Sequence, residues 1–422
     1  MTRRRSVLLS AYACRPGAGS EPAIGWNVAL EVAKHHDVWV LTRASHRSAI
    51  EATLATAPVA HLRFVYYDLP TWARWWKRGG RGVTAYAYLW QLGIQGVARR
   101  LQQEVGFDVA HHVTFARYWA PSGVASLGIP FVWGPVGGGE SAQTAFRSRS
   151  GARGRGFEGL RDVARWAGER DPLVRRTAQQ SRVALATTDA TAARMRALGA
   201  HDVRTRPAVA LSLEELERQQ RPEPRTGVRF VSVGRLVAWK AFDLGLEAFA
   251  AAALPDAEYW VVGNGPQRGR LEALAAALGV TDRVRFLGAL PRDATLARIR
   301  SATALVHPSL HDSGGFVCLE AMAAGTPVVC LDVGGPGALV TDEAGVKVAA
   351  DDPVRAIGAM AEAMRRLADD DEYRGRLGAA GRRRVQEAFT WAGHAQNLIA
   401  CYETAIERAR REGDVRALRR SS

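Results

Sequence analysis

The sequence predicts an α/β chain of two domains, each built on a parallel sheet, and three observations carry that prediction. Its 422 residues, 47% hydrophobic and 23% charged, suffice for two cored domains of about 200 residues each. Short apolar runs recur along the chain, many of them followed by a glycine turn and a helical stretch, which is the rhythm of strands joined by crossover helices. A polar, proline-containing segment at 213–226, with Glu214, Glu215, Arg218, Arg221, Pro222 and Pro224, separates the halves. The expected domains are 1–212 together with 391–412, the linker 213–226, then 227–390, with 413–422 as a tail.

Ser6–Ala11 reads as a buried strand, followed by a loop with Gly17, Gly19, Ser20 and Glu21. Pro22 opens a helix at the position where proline is favoured. Strand, glycine turn and helix start together suit a phosphate-bearing ligand. The pattern is not the dinucleotide fingerprint, since Glu21 and Pro22 stand where the last glycine belongs, and the next strand (38–41) ends in Thr42-Arg43 with no acidic residue for a ribose. A dehydrogenase is thereby disfavoured. Leu62–Tyr67 is the third strand. After it Trp72, Trp75 and Trp76 alternate with Arg74, Lys77, Arg78 and Arg81, and the helix behind carries Tyr86, Tyr88, Leu89, Trp90, Leu92 and Ile94. Aromatic residues with basic neighbours suit an anionic membrane surface. A strand at 108–114 carries His111 and His112 near its C-terminal end, the end that faces ligands in open parallel sheets. Another, at 129–133, leads into Gly137, Gly138, Gly139 and Glu140, where glycines allow close backbone approach to a ligand and Glu140 can meet acceptor hydroxyls. Residues 148–182 read as a basic helix pair, and a strand at 183–187 closes the domain.

The second domain opens with a strand at 228–233 and the turn Gly234-Arg235-Leu236, with Lys240 five residues after Arg235. Only four lysines occur (Lys34, Lys77, Lys240, Lys347), so an arginine-rich composition does not account for Lys240. Two cations converging on a helix start can neutralise a diphosphate. A strand at 259–262 runs into Gly263-Asn264, and one at 283–287 leads to Leu290. Then an apolar run at 304–306 is followed by Asp312, Ser313, Gly314 and Gly315, the helical run Phe316–Ala324 and the strand Val328–Leu331. Glu320 lies inside that apolar helix, where a carboxylate is costly to desolvate without a partner. The N–H groups at Gly314, Gly315, Phe316 and Val317 form the positive end of the helix, suited to an anion. Anion donors at the tip with a hydroxyl acceptor one turn inside suit a ribose joined to phosphates. Gly334-Gly335-Pro336-Gly337 reads as another ligand-facing turn, and helices at 353–367 and 372–388 follow. Trp391, Ala395, Leu398, Ile399, Tyr402 and Ile406 recur at helical spacing in a last helix.

The formal charge is +15 with a sequence pI of about 10.4. No zinc, basic-helix or RNA-sheet motif accompanies it, so nucleic acid is not the expected partner. Phosphate-rich ligands or an anionic membrane surface fit the charge equally well. Cys14, Cys318, Cys330 and Cys401 make no C-x-x-C pair, and reduced thiols in a cytoplasmic protein are expected. No apolar run reaches the ~18–20 residues that span a bilayer.

Asp312 and Glu320, seven residues apart and followed by Ala-Met-Ala-Ala-Gly-Thr-Pro-Val-Val, resemble the E-x7-E motif of retaining glycosyltransferases of family 4. Gly-Arg-Leu-x-x-x-Lys (Gly234 to Lys240) is similar to that family's diphosphate clamp. The resemblance implies the GT-B fold: two Rossmann-like parallel-sheet domains facing across a cleft, with the C-terminal helix crossing back to the first. It implies retaining transfer of a hexose-type sugar from a nucleoside-diphosphate sugar to a hydroxyl, with no metal or other cofactor required. Arg235 and Lys240, helped by Gly314 and Gly315, would steady the diphosphate, and Glu320 would hold the ribose. Asp312 and either His111 or His112 would orient the sugar, while backbone near Leu290 would receive the base. Gly17, Gly19, Gly234, Gly263, Asn264, Phe316 and Val317 complete the donor side. Ser20, Glu21, Gly138, Gly139 and Glu140 form the acceptor side. The chain departs from the pattern with Asp for the first Glu, with Ser313-Gly314-Gly315 for Gly-Phe-Gly, and with Ala241 where Gly often follows the lysine. The acceptor expected from the aromatic-basic segment is a lipid-linked or cell-surface glycan intermediate, with the protein peripheral on the inner face of the membrane. The alternatives are a soluble natural-product acceptor, a nucleotide-sugar hydrolase or epimerase, and a membrane-docked binding protein.

Overall fold

The computed structural model describes residues 3–73, 82–141, 144–147, 149, 151–219, 223 and 226–421, the side chains of 152, 153 and 412–421 excepted. The chain forms two compact units. One is Met1–Gly139 with Val163–Ala208 and Trp391–Ser422, and the other is Glu140–Asp162 with Val209–Thr390. Residues 140–162, expected with the first domain, thus cluster with the second.

Among the described residues the first unit contains seven strands: β1 Ser6–Ala11, β2 Asp37–Arg43, β3 Leu62–Tyr67, β4 Val109–Thr114, β5 Phe131–Val136, β6 Val183–Ala186 and β7 Val203–Thr205. All neighbours are parallel, in the order β3-β2-β1-β4-β5-β6-β7. β4 and β5 are buried at every position, as interior strands of an all-parallel sheet covered on both faces are. The chain winds outward from β1 to β3, then returns to β4 on the other side of β1, so the topological switch point lies between β1 and β4. The helix Val83–Val105 packs Tyr86, Trp90 and Ile94 into the core, all at 1% exposure or less. Those aromatics are therefore core residues and not part of a membrane-facing patch. Trp72 is exposed, while Arg74, Trp75, Trp76, Lys77, Arg78 and Arg81 lie outside the described residues. The helix Trp391–Ser421 lays Leu398, Tyr402 and Ala405 into this unit. It runs through the stretch expected as a tail.

The second unit has β8 Arg229–Val233, β9 Glu258–Val262, β10 Val284–Gly288, β11 Ala304–His307, β12 Val328–Leu331 and β13 Gly345–Val348. Its order is β10-β9-β8-β11-β12-β13, again all parallel. The switch point falls between β8 and β11. Between the supposed linker residues a helix forms, Leu213–Gln219. Ser212 and Glu215 cap it reciprocally: the Glu215 N–H donates to Ser212 Oγ (3.1 Å) and the Ser212 N–H to Glu215 Oε2 (2.9 Å). Gly334–Leu339 is likewise a short helix rather than a turn. Among the described residues no helix is long and apolar enough to cross a membrane.

Candidate active site

The strands of the second unit end in turns that hold one another. Gly263 (φ +133°) follows β9, and a Cβ there would lie 1.9 Å from the Gly234 carbonyl oxygen. The Leu236 N–H donates to Asn264 O (3.0 Å), and the Gly263 N–H to Gly288 O (2.7 Å). Only glycine lets these loops approach so closely. The stitching fixes the Gly234-Arg235-Leu236 turn at the C-terminal edge of the sheet. Arg235 is exposed there, and among the described residues nothing pairs with its guanidinium. Leu290 lies just beyond β10, half-buried.

Lys240 and Asp312 reach the switch point from opposite sides, one after β8 and the other after β11. Lys240 Nζ stands 2.5 Å from Asp312 Oδ2. The buried His307 Nε2 donates to the same oxygen at 3.1 Å. Asp312 Oδ1 accepts from the N–H groups of Gly314 (3.1 Å) and Gly315 (2.9 Å). Burial alone would push the Asp312 carboxyl up, but Lys240, His307 and the Gly315 N–H together hold it well below the usual carboxylate range. The Gly314 and Gly315 donors, expected to await an anion, are thus taken by the chain's own carboxylate. Aspartate is one methylene shorter than glutamate, and it folds back onto the helix start as a capping residue does.

The helix Phe316–Ala324 starts at Gly315 (φ +61°) and ends at Gly325 (φ +72°), both left-handed. Glu320, 7% exposed, is held by Arg292 at 2.8 Å. The same guanidinium nitrogen is 3.0 Å from Glu215. Burial pushes the Glu320 carboxyl up to about 7 despite Arg292, with Glu215 adding to the rise. Glu140, expected to meet an acceptor, belongs to this unit: it is 5% exposed and its Oε2 accepts from Ser313 Oγ at 2.9 Å.

In the first unit the histidines prove structural. Adjacent strand residues point to opposite faces, and both faces here are closed. His111 Nε2 donates to the Gly134 carbonyl (2.5 Å) while Nδ1 accepts from the Tyr402 hydroxyl (2.7 Å). His112 is enclosed by Ser122 Oγ (3.2 Å) and the Phe115 carbonyl (3.3 Å). Burial lowers the pKa of His111 to about 3 and of His112 to about 4, so both rings are neutral. Neither offers a nitrogen to a sugar. Gly138 and Gly139 admit protein rather than ligand: a Cβ on Gly138 would meet the Trp119 ring at 2.3 Å, and one on Gly139 would meet Thr191 Cα at 2.5 Å. Glu21 reaches the switch point of this sheet, where its Oε1 accepts the N–H groups of Phe115 (2.6 Å) and Ala116 (2.7 Å). Ser20 precedes it in a left-handed conformation (φ 59°), and Gly17 (φ 65°) lies in the same open loop as Gly19.

Residues 214–384 match the family model "Glycosyl transferases group 1". Curated relatives carry the name D-inositol 3-phosphate glycosyltransferase. That of Salinispora tropica is 39% identical over 203 residues, covering 45% of this chain and 41% of the relative, so the chain spans about two fifths of the length of the relatives it matches. Sucrose-phosphate synthase from Thermosynechococcus elongatus superposes with a TM-score of 0.68 at 20% identity, over 96% of this chain and 100% of that one. Anabaena HepE in complex with UDP-glucose gives a TM-score of 0.58 at 15% identity, over 94% and 100%. These likenesses show the fold, GT-B, with two Rossmann-like parallel-sheet domains, and the sequence matches support a glycosyltransferase.

Three residues of the second unit's site were not singled out from sequence. His307 ends β11, indistinguishable by pattern from a core histidine. Arg292 is one arginine among many. Glu215 did leave a signal, because Ser212-Leu213-Glu214-Glu215 is a capping box. Among the described residues no group of three or more His, Cys, Asp or Glu is placed to hold a metal ion.

Proposed function

We propose that the chain is a retaining glycosyltransferase of the family 4 type that takes a nucleoside-diphosphate sugar in its second unit. One observation carries the reading: Lys240 and Asp312 meet at the β8–β11 switch point, beside the exposed Arg235, inside the stretch that matches the group 1 transferase model. Ligands of open α/β sheets bind at such a point. An arriving diphosphate competes with Asp312 for Lys240, and Arg235 supplies a second cation. Asp312, once displaced, is free to accept sugar hydroxyls. Arg292 engages Glu320 through Oε1, which leaves Oε2 for a ribose hydroxyl. In the transfer the bond from the anomeric carbon to the diphosphate breaks, and the acceptor oxygen bonds on the same face. The acceptor proton passes to a diphosphate oxygen. Two fixed cations stabilise the charge that develops there, and the chemistry is written without a metal.

For the acceptor we favour a soluble polyol phosphate, the type named in the curated relatives, over a lipid-linked glycan. Tyr86 and Trp90, behind the basic segment, are core residues, which removes part of the motive for a membrane acceptor. The test is product formation across UDP-, GDP-, ADP- and TDP-sugars with phosphorylated and neutral polyols, followed by the anomeric configuration of the product. Lys240→Ala is expected to lower kcat by about a hundredfold or more; full turnover of that variant at saturating donor would reject the clamp. Sugar released at the same rate with donor alone would favour a hydrolase instead.

A further inference from the structure

We propose that Glu140 and Glu158 are positioning residues for Asp312, which they hold through its two neighbours in the chain. Glu158, 6% exposed, accepts from His311 Nε2 at 2.9 Å. Glu140, 5% exposed, accepts from Ser313 Oγ at 2.9 Å. Asp312 is thus flanked on both sides by side chains bound to buried carboxylates. Arg161 joins the two flanks. Its Nη2 donates to the Glu140 carbonyl (2.9 Å), and its Nη1 lies 3.9 Å from Glu158 Oε2 and 3.4 Å from His311 Nδ1. Burial alone would push the Glu158 carboxyl up, but His311 and Arg161 hold it below its ordinary value. Hydrogen bonds to an ionised carboxylate are stronger than neutral ones, so the hold on His311 is firm.

Both glutamates lie in Glu140–Asp162, the stretch that clusters with the second unit although the sequence on either side of it belongs to the first. Phe146, 2% exposed, anchors it in the second unit's core. One residue before Glu158, Phe157 stacks on Trp239, with ring centroids 4.6 Å apart and planes at 17°. Trp239 immediately precedes Lys240, and its carbonyl accepts the Leu310 N–H at 2.9 Å. A single helical turn therefore bears on both loops that bring Lys240 and Asp312 together. Lys240, His307 and the N–H groups of Gly314 and Gly315 all meet the Asp312 carboxylate. A diphosphate that takes Lys240 removes the shortest of those contacts. The holds on His311 and Ser313, and the Gly335 N–H that donates to the Asp312 carbonyl (2.6 Å), do not involve the carboxylate and survive that exchange. Groups that act on a reacting centre need placement to about 0.5 Å, and a displacement of about 1 Å can cost about a hundredfold in rate.

The role in transfer rests on the function proposed above; the placement of Asp312 does not. The test compares Glu158→Ala with Glu158→Gln, whose amide oxygen can still accept from His311. With a donor that supports transfer, Glu158→Ala should lower kcat about tenfold or more and leave donor KM and UDP affinity unchanged. Glu158→Gln should restore most of the rate, whereas a merely structural defect would lower the fraction of the chain that binds UDP. Hydrogen exchange reads the same placement without turnover. The Gly314 and Gly315 amides, bonded to Asp312 Oδ1, should exchange faster in Glu158→Ala but not in Glu158→Gln, while β13 keeps its protection in both. If Glu158→Ala does not fold, Ser313→Ala releases the other flank, and the same losses are expected of it. Unchanged kcat, unchanged exchange at those two amides, or an equal loss in Glu158→Ala and Glu158→Gln would each overturn the proposal. Absence of sugar transfer by the unaltered chain with every donor would overturn the catalytic reading, and the exchange result would still decide whether Glu158 places Asp312.

Discussion

Glu320 sits on a helix with Leu319, Ala321 and Met322 around it, all fully buried, and so its ionisation works against the fold. An exposed glutamate titrates near ~4.3, whereas burial raises Glu320 to about 7. Between those two values the folded chain binds more protons than the unfolded one. The stability this group contributes is complete below the lower value and is lost as pH rises through 7. Asp312 has the opposite sign: its carboxyl is held low, so its contribution is present above the ordinary aspartate range and is lost only as pH falls below it. Urea midpoints measured from pH 5 to 8 should therefore fall with rising pH. Glu320→Gln should flatten that fall and also weaken UDP binding; an unchanged slope in the variant would show that Glu320 is ionised throughout. The sequence made Glu320 conspicuous because a carboxylate in an apolar run is anomalous by itself. It could not show that Arg292 already holds it, since one arginine in a chain this rich in them carries no signal. The histidines failed in the other direction. Two titratable rings at a strand end look chemical, and only the packing reveals a carbonyl or a hydroxyl at each nitrogen.

The turns after β8 and β9 behave as one element, and glycine is what joins them. Gly263→Ala would have to adopt φ +133° and push Cβ against the Gly234 carbonyl at 1.9 Å. Nothing flexible can yield there, so a loss of about 2–4 kcal/mol is expected, together with weaker UDP binding as Arg235 is displaced. Gly269 is the control: it lies in the helix Arg268–Ala277, and a Cβ added there would meet nothing within 4 Å. Gly269→Ala should stabilise by about 0.5–1 kcal/mol, and equal midpoints for both variants would deny the close approach. Ser6–Ala11, Leu62–Tyr67, Val328–Leu331 and Phe316–Ala324 have the limits the sequence suggested. β7 and β13 were missed for a physical reason. They are edge strands of three and four residues whose Arg204 and Lys347 interrupt any apolar run, and short charged edges are how sheets resist further pairing. The helix Leu213–Gln219 was hidden by the prolines at 222 and 224, although its capping box was in plain view.

At the scale of the molecule, the order of the chain and the order of its packing differ. The last helix belongs to the first unit, where Tyr402 completes the hydrogen bonding of His111, Glu403 pairs with Arg5 at 3.0 Å, and Arg408 reaches Asp202 at 3.0 Å. Helical spacing of Trp391, Ala395, Leu398 and Tyr402 announced an amphipathic helix, but spacing cannot name the surface it covers. Removing 391–422 would strip Leu398, Tyr402 and Ala405 from the core of the first unit and leave a buried imidazole nitrogen unsatisfied. Full burial of large side chains contributes about 1.5–3 kcal/mol each, and an orphaned buried acceptor costs about 1–3 kcal/mol. The sum is comparable with the whole stability of a domain, about 5–15 kcal/mol. Hydrogen exchange of the truncated chain should therefore show protection lost in β1 and β4–β6, strands far away in sequence. β8–β13 should keep theirs, because their core is drawn from residues within 140–390. Tyr402→Phe isolates one part of the effect and should cost about 1–2 kcal/mol. If the truncated chain instead kept its protection in β4, the His111–Tyr402 contact would be incidental to the stability of the first unit.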